Sequence, residues 1–196
     1  GQPPRAVDAF DAKADALAAL EAAGAPTANA QVNRNAPAWY HPGQSGTITL
    51  GKTVIAQFGA LHPAAVKKLG LKGRAVGFEV FLDALPAPKK RPTRARPLLK
   101  VSPYPAVERD FAFVVDAEIP ADKLVRAISG ADKALVQGVS VFDVFAGAGV
   151  AEGKKSVALS VTLQAMDRTL KDDEIEAAAQ KIVAAVTQST GGTLRT

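Results

Sequence analysis

The chain has 196 residues, 47% hydrophobic and 22% charged, with a formal net charge of +5, an ordinary globular composition for one large domain or two small ones. It has no cysteine and only two, widely separated, histidines, His41 and His62, which excludes disulfides and thiolate metal sites and leaves little for zinc. No stretch approaches the roughly 18 apolar residues of a membrane span, and no basic region followed by an apolar one opens the chain. A soluble, cytoplasmic protein without a membrane partner is therefore expected, and the start at Gly1, with Met166 the single methionine, suggests a piece of a longer protein.

In chain order, Ala12, Ala16, Leu17 and Leu20 lie at helical spacing and predict a helix over 11–23, stopped by Gly24-Ala25-Pro26. Residues 46–50 and 52–59 predict a hairpin around Gly51-Lys52, with Ile48 and Leu50 facing Val54, Ala56 and Phe58. His41-Pro42-Gly43 is turn chemistry. His62-Pro63 opens a short helix to Leu69, and 74–82 returns as a strand. Neither histidine has a second ligand or a nucleophile at a useful spacing, so both are assigned structural roles.

The charge is concentrated in one place. Lys89, Lys90, Arg91, Arg94, Arg96 and Lys100 lie among Pro86, Pro88, Pro92 and Pro97 with no acid between them, and without this segment the chain stands at about −1. Prolines fix φ and remove donors, so 86–103 reads as an extended connector between a portion over 1–85 and a domain over 104–196. It is either a solvated linker or a strap whose Lys89, Lys90, Arg91, Arg94 and Arg96 contact phosphates.

Beyond the connector the predicted order is strand (110–115), helix (Pro120 at its first position, then Leu124, Val125 and Ile128, with Gly130 behind), strand (139–145), strand (156–163), helix, closing strand. Asp172, Asp173 and Glu174 suit the positive end of the second helix, whose apolar stripe is Ile175, Ala179, Ile182, Val183 and Val186. The fold class is thus α+β: a ferredoxin-like βαββαβ sandwich, in which both helices cover one face of an antiparallel sheet, preceded by a mixed α+β portion.

Alternation sorts the strands' side chains. Val157, Leu159, Val161 and Leu163 belong under the helices, as do Phe111, Phe113 and Val115. Phe142 and Val144 are assigned to the same core, which sends Asp143 and Phe145 outward with Val139 and Val141. If Leu194 faces in, Arg195 faces out. Ala112, Asp143, Phe145, Ser156 and Arg195 then share an uncovered face that offers a stacking ring, hydrogen-bonding charges and small residues on which a base can lie, features that suit single-stranded nucleic acid. Packing on a neighbouring domain or partner chain is the other use of such a face.

These residues also carry a resemblance. Tyr104-Pro105-Ala106-Val107-Glu108-Arg109-Asp110-Phe111-Ala112-Phe113, Val141-Phe142-Asp143-Val144-Phe145, Gly153-Lys154-Lys155-Ser156, Asp167-Arg168-Thr169-Leu170 and Gly192-Thr193-Leu194-Arg195 resemble, in order and spacing, the ferredoxin-fold anticodon-binding domain of the phenylalanyl-tRNA synthetase β-subunit family. Trp39-Tyr40-His41-Pro42-Gly43-Gln44-Ser45, Phe58-Gly59-Ala60-Leu61-His62-Pro63 and 78–85 are similar to that family's catalytically inactive class II synthetase-like module.

The resemblance implies an α2β2 ligase that joins phenylalanine to its tRNA with ATP and magnesium at an active site on the α subunit. The present stretch would then hold no catalytic residue, metal or cofactor of its own, and its partners would be tRNA(Phe), the α subunit and the rest of β. By motif, the family's anticodon contacts fall on Ala112, Asp143, Phe145, Ser156 and Arg195. The stacking position can be tyrosine in relatives; Phe145 keeps the ring and lacks the hydroxyl. Lys171 replaces a capping threonine, leaving Asp172 as the expected substitute cap. The competing reading is a ferredoxin-like regulatory or assembly module that binds a small ligand or partner chain. An RNA-recognition motif fits less well, since its paired aromatics are missing from the third strand.

Overall fold

The computed structural model describes residues 5–87 and 101–195. The chain divides between residues 94 and 95 into two compact units. The cations from Lys89 to Lys100 lie outside the described residues.

In the first unit the helix α1 (Ala9–Ala22) begins two residues before the expected start, because Asp8 caps it. The Asp8 carboxylate accepts from the Phe10 and Asp11 N–H groups, and Asp11 accepts in return from the Asp8 N–H at 2.8 Å, a reciprocal capping box. Ala12, Ala16 and Leu20, one residue per turn, are buried against Ile48, Ile55, Ala56 and Phe58. Those residues come from an antiparallel sheet of β1 (Gln31–Asn33), β2 (Tyr40–Leu50), β3 (Thr53–Leu61) and β4 (Val76–Val80), in that spatial order.

The expected hairpin is present, Leu50 opposing Thr53 around Gly51-Lys52. Its alternation is corrected in one respect. An irregularity opposite Ile48/Thr49 makes Ile55 the extra residue of β3, so Ile55 and Ala56 are both buried and Val54 is exposed; a bulge reverses the phase of whatever precedes it. His41-Pro42-Gly43, expected as a turn, lies inside β2 where the pairing jumps from Tyr40 to Ser45. α2 (Pro63–Lys68) follows His62, whose Nδ1 accepts from the Ala64 N–H at 3.2 Å, and His41 Nδ1 accepts from Gly43 N–H at 3.1 Å. Each imidazole thus accepts from the backbone N–H two residues on, His41 within β2 and His62 at the start of α2.

The second unit runs β5 (Val107–Asp116), α3 (Ala121–Ala131), β6 (Val136–Phe145), β7 (Lys154–Leu163), α4 (Asp172–Thr190) and β8 (Thr193–Leu194). Pro120 precedes α3 as its N-cap, and Gly130 lies within its last turn instead of behind it. The sheet order is β6-β7-β5-β8 with every neighbouring pair antiparallel, the arrangement of the split βαβ sandwich. Leu124, Ile128, Ile175, Ile182 and Val186 from the helices meet Phe111, Phe113, Val115, Val157, Leu159, Val161 and Leu163 in one core. All the strand members of that core have odd numbers in β5 and β7, so the even-numbered positions form the opposite, helix-free face.

Helix α4 is capped differently from the expectation. Lys171 is its N-cap and offers no acceptor, and Asp172 does not substitute. Instead Glu174 accepts from the Lys171 N–H at 3.1 Å and is held by Arg168 at 2.7 Å, a bond that, with the Lys171 N–H, keeps the Glu174 carboxyl below its usual range. Asp167 pairs with the same arginine at 2.9 Å, so the Asp-Arg-Thr-Leu stretch organises the start of the helix. At the other end Gly191 takes the left-handed conformation, φ 69°, and its N–H bonds Thr187 C=O at 2.9 Å. The chain then turns into β8.

Candidate nucleic-acid interface

The helix-free face is built by cross-strand register. One row reads Asp143 (β6), Ala158 (β7), Ala112 (β5); the Arg195 N–H extends it by donating to the Ala112 carbonyl at 2.7 Å. The adjacent row reads Phe145, Ser156, Val114, Thr193. All five residues singled out from the sequence therefore lie in two neighbouring rows. With strands about 4.8 Å apart and about 6.7 Å between same-face residues along a strand, the patch measures roughly 14 by 7 Å, the scale of a base with its ribose.

Both charges sit at the rims. Asp143 is on edge strand β6 and Arg195 follows edge strand β8, with two strands between them. Both are exposed, and neither has an ion-pair partner among the described residues. Between them Ala158 and Ala112 form a floor with no side chain beyond Cβ. Phe145 keeps 41% of its surface open, whereas Ser156, flanked by Phe145 and Val114, retains 6%. The sequence placed Ser156 on the correct face but gave no sign of this covering, which comes from larger neighbours on either side. A third row, Asp116 with Lys154, closes on itself through an ion pair of 2.8 Å. On the opposite side Ser140, Ser160 and Asp110 continue the face as a polar row.

Strand β6 corrects the sequence expectation. Val139 and Val141, assigned outward, oppose Val161 and Leu159 and pack on the core, while Phe142, assigned to the core, is 57% exposed. A bulge between Val141 and Asp143 makes Phe142 the extra residue. Val144 opposes the core residue Val157, yet it is 53% exposed, one residue from the end of an edge strand. The signal was present: Val139/Val141 and Phe142/Val144 are two apolar alternations out of phase by one, and only a bulge accommodates both. The same bulge returns Asp143 and Phe145 to the open face.

Two further participants escaped the sequence reading. Gly147 and Gly149 in the β6–β7 connection (146–153) approach Phe145 and Arg195 respectively. Nothing in the local sequence signals this, because Arg195 is distant in the chain.

Among the described residues no group of three or more His, Asp or Glu side chains could hold a metal ion, and no helix is long and apolar enough to cross a membrane.

Comparison with known proteins adds the lineage. Residues 102–195 match the model of the ferredoxin-fold anticodon binding domain, and residues 1–82 match that of the phenylalanyl tRNA synthetase beta chain CLM domain. The phenylalanine-tRNA ligase beta subunit of Rhodospirillum rubrum is 58% identical over 194 residues, covering 99% of this chain and 24% of the relative. Those of Paramagnetospirillum magneticum and Bradyrhizobium diazoefficiens are each 54% identical, over 98% and 96% of this chain and again 24% of the relative. The chain thus spans about a quarter of the length of the curated relatives it matches. Carrying both of these domains in order, at this identity across nearly all its residues, the chain belongs to the phenylalanyl-tRNA synthetase beta-subunit family.

Proposed function

We propose that the open face of the second unit reads the anticodon of tRNA(Phe), with Phe145 stacking on a base, Asp143 and Arg195 bonding base edges or ribose from the two rims, and Ala112 and Ser156 forming the surface against which the base lies. The observation that carries this reading is the register, which gathers these five residues into two adjacent rows on a helix-free face. An exposed ring beside small residues is what sequence-tolerant stacking needs, and unpaired charges at both rims supply the hydrogen bonds that discriminate between bases. Asp143 accepts from an exocyclic amino or imino N–H; Arg195 donates to carbonyl or ring-nitrogen acceptors.

In this reading the chain serves a larger cytoplasmic α2β2 ligase, partnered by the α subunit and the rest of β, that charges tRNA(Phe) with phenylalanine. The basic segment 86–103 joins the two domains and supplies phosphate contacts through Lys89, Lys90, Arg91, Arg94 and Arg96. ATP and magnesium belong to the charging step.

Filter binding of this chain to tRNA(Phe) and to a tRNA(Phe) with a substituted anticodon, at two salt concentrations, tests the proposal. Weaker binding of the variant at both salts is expected, with both affinities falling as salt rises. Equal affinity for the two tRNAs would refute it.

A further inference from the structure

The connection between β6 and β7, residues 146–153, is longer than the two-residue turn that closes a tight hairpin, and its path is defined. The Val150 N–H donates to Gly147 C=O at 3.0 Å, the Lys154 N–H to Ala151 C=O at 3.0 Å, and the Ala117 N–H to Gly153 C=O at 2.8 Å. So held, the loop lies against both functional rims. A methyl group built on Gly147 would fall 2.9 Å from Phe145 Cζ, closer than packed carbons approach, and 3.4 to 3.5 Å from the ring's two Cε atoms, at ordinary contact distance. A methyl on Gly149, where φ is +89°, would lie 3.9 Å from Arg195 Nη2. Phe145 and Arg195 belong to opposite edges of the sheet, separated by β7 and β5. The Arg195 side chain therefore reaches back across the open face towards this loop, and a single turn abuts the stacking ring and the guanidinium together.

We propose that the Gly147-Ala148-Gly149 turn is a positioning element that sets the Phe145 ring and the Arg195 guanidinium as the two sides of one nucleobase slot, making Gly147 a specificity-determining residue for the base that is read. The idea rests on the anticodon reading given above and deepens it. Phe145 is on an edge strand with 41% of its surface open, so the strand alone leaves its ring rotamer weakly constrained. Glycine at 147 lets the loop backbone close on the ring tip, and any side chain there drives the ring out of that position. Preorganising a stacking ring reduces the ordering cost of binding and penalises a base of different shape.

Gly147→Ala, Phe145→Ala and the double variant, each made in this chain, test the coupling. Binding of tRNA(Phe) and of the anticodon variant is measured by filter binding, and the Phe145 ring proton shifts by NMR. Gly147→Ala is expected to displace the ring resonances and lower the ratio of cognate to variant affinity by roughly three- to tenfold, a fraction of a full stacking contribution. Its melting temperature should stay within about 2 °C of the parent's, since the methyl meets only a peripheral ring. In the Phe145→Ala background the same substitution should change nothing, because the ring it displaces is gone. An unchanged ratio in Gly147→Ala, or an equal loss in the Phe145→Ala background, would overturn the inference while leaving the anticodon reading intact. A parent chain that binds both tRNAs equally would overturn the anticodon reading, and this inference with it.

Discussion

Replacing Phe145 by alanine separates recognition from folding. The ring is 41% exposed and stands outside the core cluster of its unit. Complete burial of a phenylalanine side chain stabilises by roughly 1.5–3 kcal/mol, so the three-fifths that is covered corresponds to about 1–2 kcal/mol. For a domain of this size that lowers the melting temperature by roughly 4–15 °C and leaves the transition cooperative. Binding should suffer more. A base stacked on an aromatic ring contributes about 1–3 kcal/mol, so the dissociation constant for tRNA(Phe) is expected to rise roughly 5- to 150-fold. Phe145→Leu keeps aliphatic bulk without the π face: it should melt close to the parent and bind nearly as poorly as the alanine variant. Melts followed by far-UV circular dichroism, paired with filter binding of the same preparations, measure both quantities. If Phe145→Leu retains the parent's affinity, or if Phe145→Ala loses its cooperative melt, then stacking is not the ring's role and the reasoning fails.

Other outcomes follow from individual contacts. Arg195→Ala removes the rim guanidinium that donates to a base edge, so the preference for tRNA(Phe) over the anticodon variant should fall roughly 5- to 150-fold, about 1–3 kcal/mol of discrimination, with no change in melting temperature beyond about 2 °C; an unchanged preference would show that Arg195 reads no base. Asp132 follows α3 and accepts from Lys181 Nζ of α4 at 2.8 Å and from the Ala134 and Leu135 N–H groups at 3.2 Å, and the Lys181 bond leads in holding its carboxyl below the usual range. A depressed folded-state value stabilises above the unfolded carboxyl's pKa of about 3.9 and loses that contribution as pH falls through the folded value. Asp132→Asn should therefore cost about 0.5–1 kcal/mol at pH 7, Lys181 being largely open to solvent, and progressively less as pH falls below about 3.9; a gap between the two melting curves that is constant with pH would contradict the ion pair. Gly191→Ala places Cβ in open space but in the left-handed region, so a loss of about 1–2 kcal/mol is expected from the backbone alone, read as a lower melting temperature; an unchanged value would mean that the α4 terminus relaxes at no cost.

How much of this was legible in the sequence depends on the element. The strand–helix–strand–strand–helix–strand order of the second unit followed from uninterrupted patterns such as Val157/Leu159/Val161/Leu163 and from the acidic start of α4, and the helix α1 from Ala12, Ala16 and Leu20. The faces of β5 and β7 followed for the same reason, since a regular strand has a period of two. Where the strand is irregular the expectation failed. Phe142 and Ile55 are extra residues whose bulges reverse the phase, and hydrophobicity by itself does not say which of two competing alternations the core accepts. Capping of α4 was misassigned because Glu174 is recruited through Arg168, a side-chain bond that no propensity encodes.

The sequence by itself determined the architecture of the second unit and, through alternation, the open-face placement of Ala112, Ser156 and Arg195, because side-chain direction along a regular strand is a local property, whereas Asp143 and Phe145 reach that face only through the bulge at Phe142. The arrangement of all five was decided by the tertiary structure. Strand order set Asp143 and Arg195 on opposite rims, cross-strand register aligned Ala112, Ala158 and Ser156 between them, and the β6–β7 loop was brought against both Phe145 and Arg195. These are relations between segments far apart in the chain, fixed by the packing of the helices on the other face of the sheet and carried by no single stretch of sequence.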